Sequence, residues 1–104
     1  MDKRVMQLLG LAKSARKVVC GSTLLNSMGN VNYLFIASDA SEKTKERFEK
    51  KCFYYQIKYC AQFDSQTLSE AIGQSNRMCV GIADRGFAKK FILLIEGGQD
   101  GKSN

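Results

Sequence analysis

The stretch Tyr33-Leu34-Phe35-Ile36-Ala37 constrains the fold more than any other part of this sequence. Five consecutive residues suited to a strand show no polar alternation, so both faces of that strand have to be covered. A chain of 104 residues is one domain, and it can cover both faces by packing helices on each side of a small sheet. The rest of the sequence agrees. Val5, Leu8, Leu9 and Ala12 recur at helical spacing, which predicts a helix over residues 3 to 15. Lys17-Val18-Val19-Cys20 reads as a short strand ending at Gly21. A second helix is expected from Ser22 to Met28, capped by Gly21 or Ser22 and stopped by Gly29-Asn30. The next helix begins after Asp39 or Ser41. Either can cap it, with Glu42 placed for a capping box with Asp39, and it continues through Lys51 with Phe48 and Cys52 inward.

Further along, Ile57 to Ala61 and Met78 to Ala83 read as strands. Gln66 to Ile72 and Phe87 to Ile95 read as helices, the former closed by Gly73. Proline is absent, so the turns rest on Gly, Asn, Asp and Ser. The glycine-rich polar end, Gly97 to Asn104, reads as a disordered tail, leaving residues 1 to 96 as a single domain. The expected class is α/β, a sandwich with helices on both faces of the sheet.

Composition narrows the function. No apolar run approaches a membrane span, and Lys13, Arg16 and Lys17 follow the first apolar residues where a signal peptide would avoid them. The expected location is cytoplasmic, with no membrane partner. Cys20, Cys52, Cys60 and Cys79 include no C-x-x-C pair, and histidine is absent, so zinc would require all four thiolates at an unfamiliar spacing. Each lies beside an apolar residue, and reduced, buried thiols are expected rather than a metal site. The missing histidines remove the commonest general base. Neither a phosphate-binding P-loop nor G-x-G-x-x-G occurs, and no cofactor is expected. A net charge of +6 and a pI near 9.3 favour an anionic partner, nucleic acid before membrane.

Three polar segments adjoin strands. Gly21-Ser22-Thr23 opens a helix whose free N–H groups suit phosphate, although most such starts bind nothing. In Ser38-Asp39-Ala40-Ser41 capping alone explains every residue. The loop from Gln74 to Arg77 offers an arginine able to reach phosphate or stack on a base. Lys13, Arg16 and Lys17 lie near Gly21 in sequence and thicken positive charge there. The mixed charges from Glu42 to Lys51 read as a solvated helix face. Asp39, Asp64 and Asp84 each stand at a turn, where a structural role is the plainer reading.

Gly21 opening a helix, followed by "YLFIASDASEKTKERFEKKC", "LSEAIGQS" and "RMCVGIADRGFAKKF", resembles the kink-turn-binding ribosomal protein family of the L-seven-Ae type, and within it the bacterial YlxQ-like branch. The resemblance covers residues 4 to 95. It implies a three-layer α-β-α sandwich around a mixed four-stranded sheet. The function it implies is non-catalytic binding of RNA that bends at tandem sheared G·A pairs. Carried over residue by residue, it assigns contacts to Gly21, Ser22, Thr23, Ser27, Asp39, Asn76, Arg77 and Met78, beside the basic Lys13, Arg16 and Lys17. The expected partner is structured RNA, ribosomal or another kink-turn RNA, with ribosomal proteins as further candidates and the chain acting as a monomer. The sequence departs from the pattern where an Asn-Glu pair becomes Thr23-Leu24 and a lysine becomes Ser27. Asn and Glu read bases and Lys anchors phosphate, so backbone N–H groups, short hydroxyls and nearby basic residues remain. A protein-interaction module on the same fold, without specific RNA recognition, is the alternative. An RNA-modifying enzyme is a weaker one, since no cofactor site is visible.

Overall fold

The computed structural model describes residues 3 to 97, and its core is built around the strand that the sequence marks out. In chain order come α1 (Lys3–Ser14), β1 (Val18–Cys20), two consecutive 3₁₀ turns (Gly21–Thr23 and Leu25–Asn30), β2 (Tyr33–Ile36) and α2 (Glu42–Tyr55). They are followed by β3 (Lys58–Cys60), α3 (Ser65–Ala71), β4 (Cys79–Ile82), α4 (Arg85–Ile92) and a π turn (Leu93–Gly97). The strands form one mixed sheet in the order β1-β4-β2-β3. β4 runs antiparallel to both β1 and β2, whereas β2 and β3 are parallel and joined by the α2 crossover.

All four residues of β2 are buried, as continuous hydrophobicity requires of a central strand. Its alternate side chains serve different layers. Tyr33 and Phe35 meet Phe91 of α4 at centroid distances of 6.2 and 5.0 Å, and α4 packs on α1, which also packs on α3. On the other face Leu34 stands opposite Gly81 of β4. A Cβ at Gly81 would come within 2.8 Å of Leu24 Cδ1 and 3.0 Å of Val31 Cγ2, so only glycine lets the 3₁₀ segment lie so close to the sheet. α2 completes that layer, packed on β2, β3 and the second 3₁₀ turn. The result is a three-layer α-β-α sandwich around a mixed four-stranded sheet.

Several boundaries differ from expectation, each for a local reason. The segment after Gly21 is 3₁₀ rather than α-helical, and its N-cap, Cys20, makes no side-chain capping bond. With glycines at both ends and only a few residues between, an α-helix has little to propagate. α2 is capped by Ser41, whose Oγ accepts from Thr44 N at 3.2 Å; Asp39 takes no part in the cap. The helix continues past Lys51 to Tyr55 and closes at Gln56, which adopts a left-handed φ of 57° without being glycine. α4 begins at Arg85 because the Asp84 carboxylate accepts from Phe87 N at 2.9 Å. Gly97, expected to start the tail, instead ends the π turn, and the rest of that tail, residues 98 to 104, lies outside the described residues.

None of the four cysteines forms a disulfide; Cys52, Cys60 and Cys79 are buried and Cys20 is half-buried. Burial pushes the Cys52 thiol up to about 11 and the Cys79 thiol up to about 12. Among the described residues no helix is long and apolar enough to cross a membrane, and no group of side chains is arranged to hold a metal ion.

Candidate nucleic-acid interface

Sheet topology gathers one set of expected residues and separates another. β1 ends at Cys20, which stands opposite Val80, and β2 ends at Ile36, opposite Cys79 where β4 begins. Ala37 N then donates to the Met78 carbonyl at 2.7 Å. Gly21, the turn from Ser38 to Ser41 and the residues Asn76, Arg77 and Met78 therefore lie along one edge of the sheet. Gly21, Asn76, Arg77 and Met78 line a shared groove there, with Leu24 and Cys79 at its floor and Thr44 and Phe48 of α2 forming its far wall.

The groove is organised around Arg77. Gly21 has φ of +83°, a conformation that favours glycine, and a Cβ there would lie 3.1 Å from Arg77 Nη1. The bare glycine lets the guanidinium lie over the turn that opens the 3₁₀ segment. Arg77 N donates to Ser69 Oγ at 2.8 Å, and Nη2 donates to Gln74 Oε1 at 3.4 Å. Asn76, just before it, has φ of +53° and turns the loop toward the edge. Arg77 Nε is buried with no hydrogen-bond partner. A half-buried cation held by its own loop, with an unused donor, suits an anionic ligand at this edge.

Asp39 stands on the edge but is engaged: its carboxylate accepts from Ser65 N at 2.8 Å and Ser65 Oγ at 2.7 Å. Those bonds hold its pKa below the usual 3.8, with the Ser65 hydroxyl as the main cause. Asp39 thus ties the turn after β2 to the start of α3. Asp64 caps α3 by accepting from Thr67 N at 2.8 Å, so Asp39, Asp64 and Asp84 all have structural work.

Thr23 is exposed and Ser27 half-exposed on the 3₁₀ segment. Ser22 follows Gly21 within the first 3₁₀ turn. At 3.0 residues per turn, residues four apart are rotated by about 120°, against about 40° in an α-helix, so Thr23 and Ser27 do not share a face as an α-helix would have them. Leu24 is buried over Gly81 at 1% exposure, which turns the second residue of the departed Asn-Glu pair into core.

Lys13, Arg16 and Lys17 are exposed at the opposite end of the sheet. Arg16 turns the chain out of α1 with φ of 63°, and the Lys17 carbonyl accepts from Ala83 N at 2.8 Å, just past Ile82 where β1 begins. The whole of β1, about 10 Å of strand, separates this corner from Gly21. Nearness in sequence did not become nearness in space, because a strand carries the chain straight away from its start.

Sequence reasoning missed Thr44 and Phe48 as walls of the groove and Ser69 as the residue that holds the Arg77 loop. Ser69 left a signal: it shares a helical face with Ile72, and a polar side chain on an apolar face asks for a partner. The Arg77 backbone N–H is that partner.

No protein-family model matches the chain. Two curated relatives do: "RNA-binding protein YlxQ" of Enterococcus faecium is 37% identical over 98 residues, 91% of this chain and 94% of the relative. The protein of that name from Bacillus subtilis (strain 168) is 37% identical over 92 residues, covering 86% and 92%. Among solved structures, a protein of unknown function from Bacillus halodurans C superimposes with a TM-score of 0.86 at 34% identity, over 91% of this chain and 99% of that one. A Giardia lamblia 15.5kD RNA binding protein superimposes with a TM-score of 0.69 at 15% identity, over 91% and 93%, which shows the shared fold. The identities run through nearly the whole described chain, and on them the chain belongs to the YlxQ family.

Proposed function

We propose that the protein binds structured RNA without catalysis, and that it recognises a kink-turn through the edge built on Gly21 and Arg77. The observation that carries this reading is the Arg77 guanidinium lying over Gly21, whose left-handed φ favours glycine, with a buried and unused Nε. The names of the two relatives support RNA as the ligand class, and a net charge of +6 suits it. The 3₁₀ turn offers its first N–H groups and Thr23 to the RNA, Arg77 anchors phosphate or stacks on a base, and Asn76 and Met78 complete the contact surface. With Leu24 committed to the core, bent backbone shape contributes more to recognition, and base reading less, than in relatives with an Asn-Glu pair. The expected setting is the cytoplasm, on ribosomal or another kink-turn RNA, with the chain acting as a monomer.

Titration of a kink-turn RNA and an unkinked duplex of equal length, at one salt concentration, tests the reading. Tighter binding of the kinked RNA by tenfold or more is expected. Equal affinities would reduce the interaction to general charge, and no binding of either would leave the protein-interaction alternative in its place.

A further inference from the structure

The charges from Glu42 to Lys51, mixed in sequence, are sorted by the helix that carries them. Lys43, Arg47 and Lys50 recur at spacings of four and three along α2, and Tyr54 continues the row. Lys51 and Tyr55 run beside it, and all six line one open surface in which Glu46 is the acidic member. Glu49 lies elsewhere, beside Tyr59 and Cys52, where its charge adds to burial in raising both groups' pKa.

The aromatic end is arranged as well. Tyr54 and Tyr55 meet edge to face at 4.8 Å and 89°. Tyr55 packs on Gly29 of the 3₁₀ segment, where a Cβ would lie 3.5 Å from Tyr55 Cε1. Tyr55 thereby props Tyr54, which stays 76% exposed. An exposed ring one helical turn from Lys50 and Lys51 offers a stacking surface beside positive charge.

We propose that this face of α2 is a second RNA surface, taking an unpaired strand whose phosphates lie along Lys43, Arg47, Lys50 and Lys51 and one of whose bases stacks on Tyr54. Charge complementarity selects a polyanion, and the exposed ring at the end of the basic row selects one with exposed bases rather than a duplex. The row from Lys43 to Tyr54 spans about 16 Å, enough for a short run of nucleotides. Its inner neighbours on the helix, Thr44 and Phe48, wall the Gly21 groove, so a strand leaving an RNA held at that groove passes directly onto this face. The inference rests on the proposed function for its ligand class but not on the Gly21 edge.

Fluorescence anisotropy with three RNAs tests it: a blunt-ended kink-turn, the same RNA with an eight-nucleotide oligouridine extension, and the free oligouridine. The extension is expected to tighten binding about tenfold, the worth of one good base stack. Tyr54→Ala removes that gain and leaves the blunt RNA unchanged, while Tyr54→Phe keeps it. Lys50→Gln lowers the salt dependence for the extended RNA by about 0.7 unit, one single-strand phosphate. An extension that adds nothing, or a Tyr54→Ala loss equal on both kink-turn RNAs, overturns the proposal and leaves the rings to a protein partner. Oligouridine binding that depends on Tyr54 without binding of the blunt RNA would uphold this surface and defeat the kink-turn reading. Tyr54 is far enough out of the core that its replacement leaves folding intact, which circular dichroism checks.

Discussion

The two ends of the sheet both carry positive charge, and they hold it differently. At the Gly21 end Arg77 is half-buried, its loop tied to Ser69 and its guanidinium to Gln74. At the other end Lys13, Arg16 and Lys17 stand in solvent where α1 turns into β1. A side chain already fixed loses little rotamer freedom on binding, whereas a free lysine or arginine loses up to about 2 kcal/mol. The fixed end can therefore discriminate between shapes, while the solvated end adds attraction that any polyanion shares. Charge is legible in composition; its fixation is a property of the fold.

The largest test of that contrast uses two glycines. Gly21 and Gly73 both have positive φ, +83° and +68°, so alanine at either costs about 1 kcal/mol of backbone strain. Only at Gly21 would the new Cβ displace Arg77; at Gly73 nothing lies within 4 Å. Gly21→Ala is expected to weaken kink-turn binding by about 2 kcal/mol, one displaced charge-assisted contact. Gly73→Ala should match it in thermal destabilisation and leave affinity alone. Equal affinity losses would break the comparison.

Ser69→Ala leaves the Arg77 N–H without its acceptor, and chemical denaturation should show a loss of about 1 to 2 kcal/mol. Affinity should fall with it, because the loop no longer fixes the arginine. Ser27→Lys should tighten kink-turn binding by about 1 kcal/mol and leave the unkinked duplex unchanged, since the added charge meets only a bent phosphate path. The 3₁₀ geometry sharpens this: a lysine at Thr23, rotated about 120° away, should not reproduce the gain. Lys17→Ala should weaken every RNA alike and slightly, flattening the salt dependence by no more than about one unit. A loss confined to the kinked RNA would move the interface to that corner.

The smallest effect concerns pH. The folded pKa of Asp39 is depressed by Ser65, so its contribution is present above the unfolded value of 3.8 and fades as pH falls through the lower folded value. Asp39→Asn should therefore flatten the acid limb of a stability profile below about pH 4, leaving the part that Asp64 contributes in the same window. An unchanged acid limb would mean that the Asp39–Ser65 tie is not formed in solution.

What the sequence revealed of the fold follows from the range of the signal. β2 and the inward rows of α1 and α2 were legible because burial writes itself into local periodicity. The 3₁₀ segment was not, since a few apolar positions between two glycines fit either helix type. α2 extends through Phe53, Tyr54 and Tyr55, whose exposure leaves no inward pattern to read. At the site, Gly21 and Arg77 were visible singly as a turn glycine and a loop cation, but their contact joins a turn after β1 to a loop before β4. The Asp39–Ser65 tie is equally long-range. Lys13, Arg16 and Lys17 lie near Gly21 in sequence but at the other end of β1 in space, because adjacency along the chain says nothing of which end of a strand a residue occupies.

Amide chemical-shift mapping during titration with a kink-turn RNA distinguishes the two ends of the sheet residue by residue. The largest changes are expected at Gly21 to Ser27, Ala37 to Ser41 and Asn76 to Met78, with the amides of Lys13 to Lys17 nearly still. Changes centred on Lys13 to Lys17, with Gly21 and Arg77 unmoved, would contradict it.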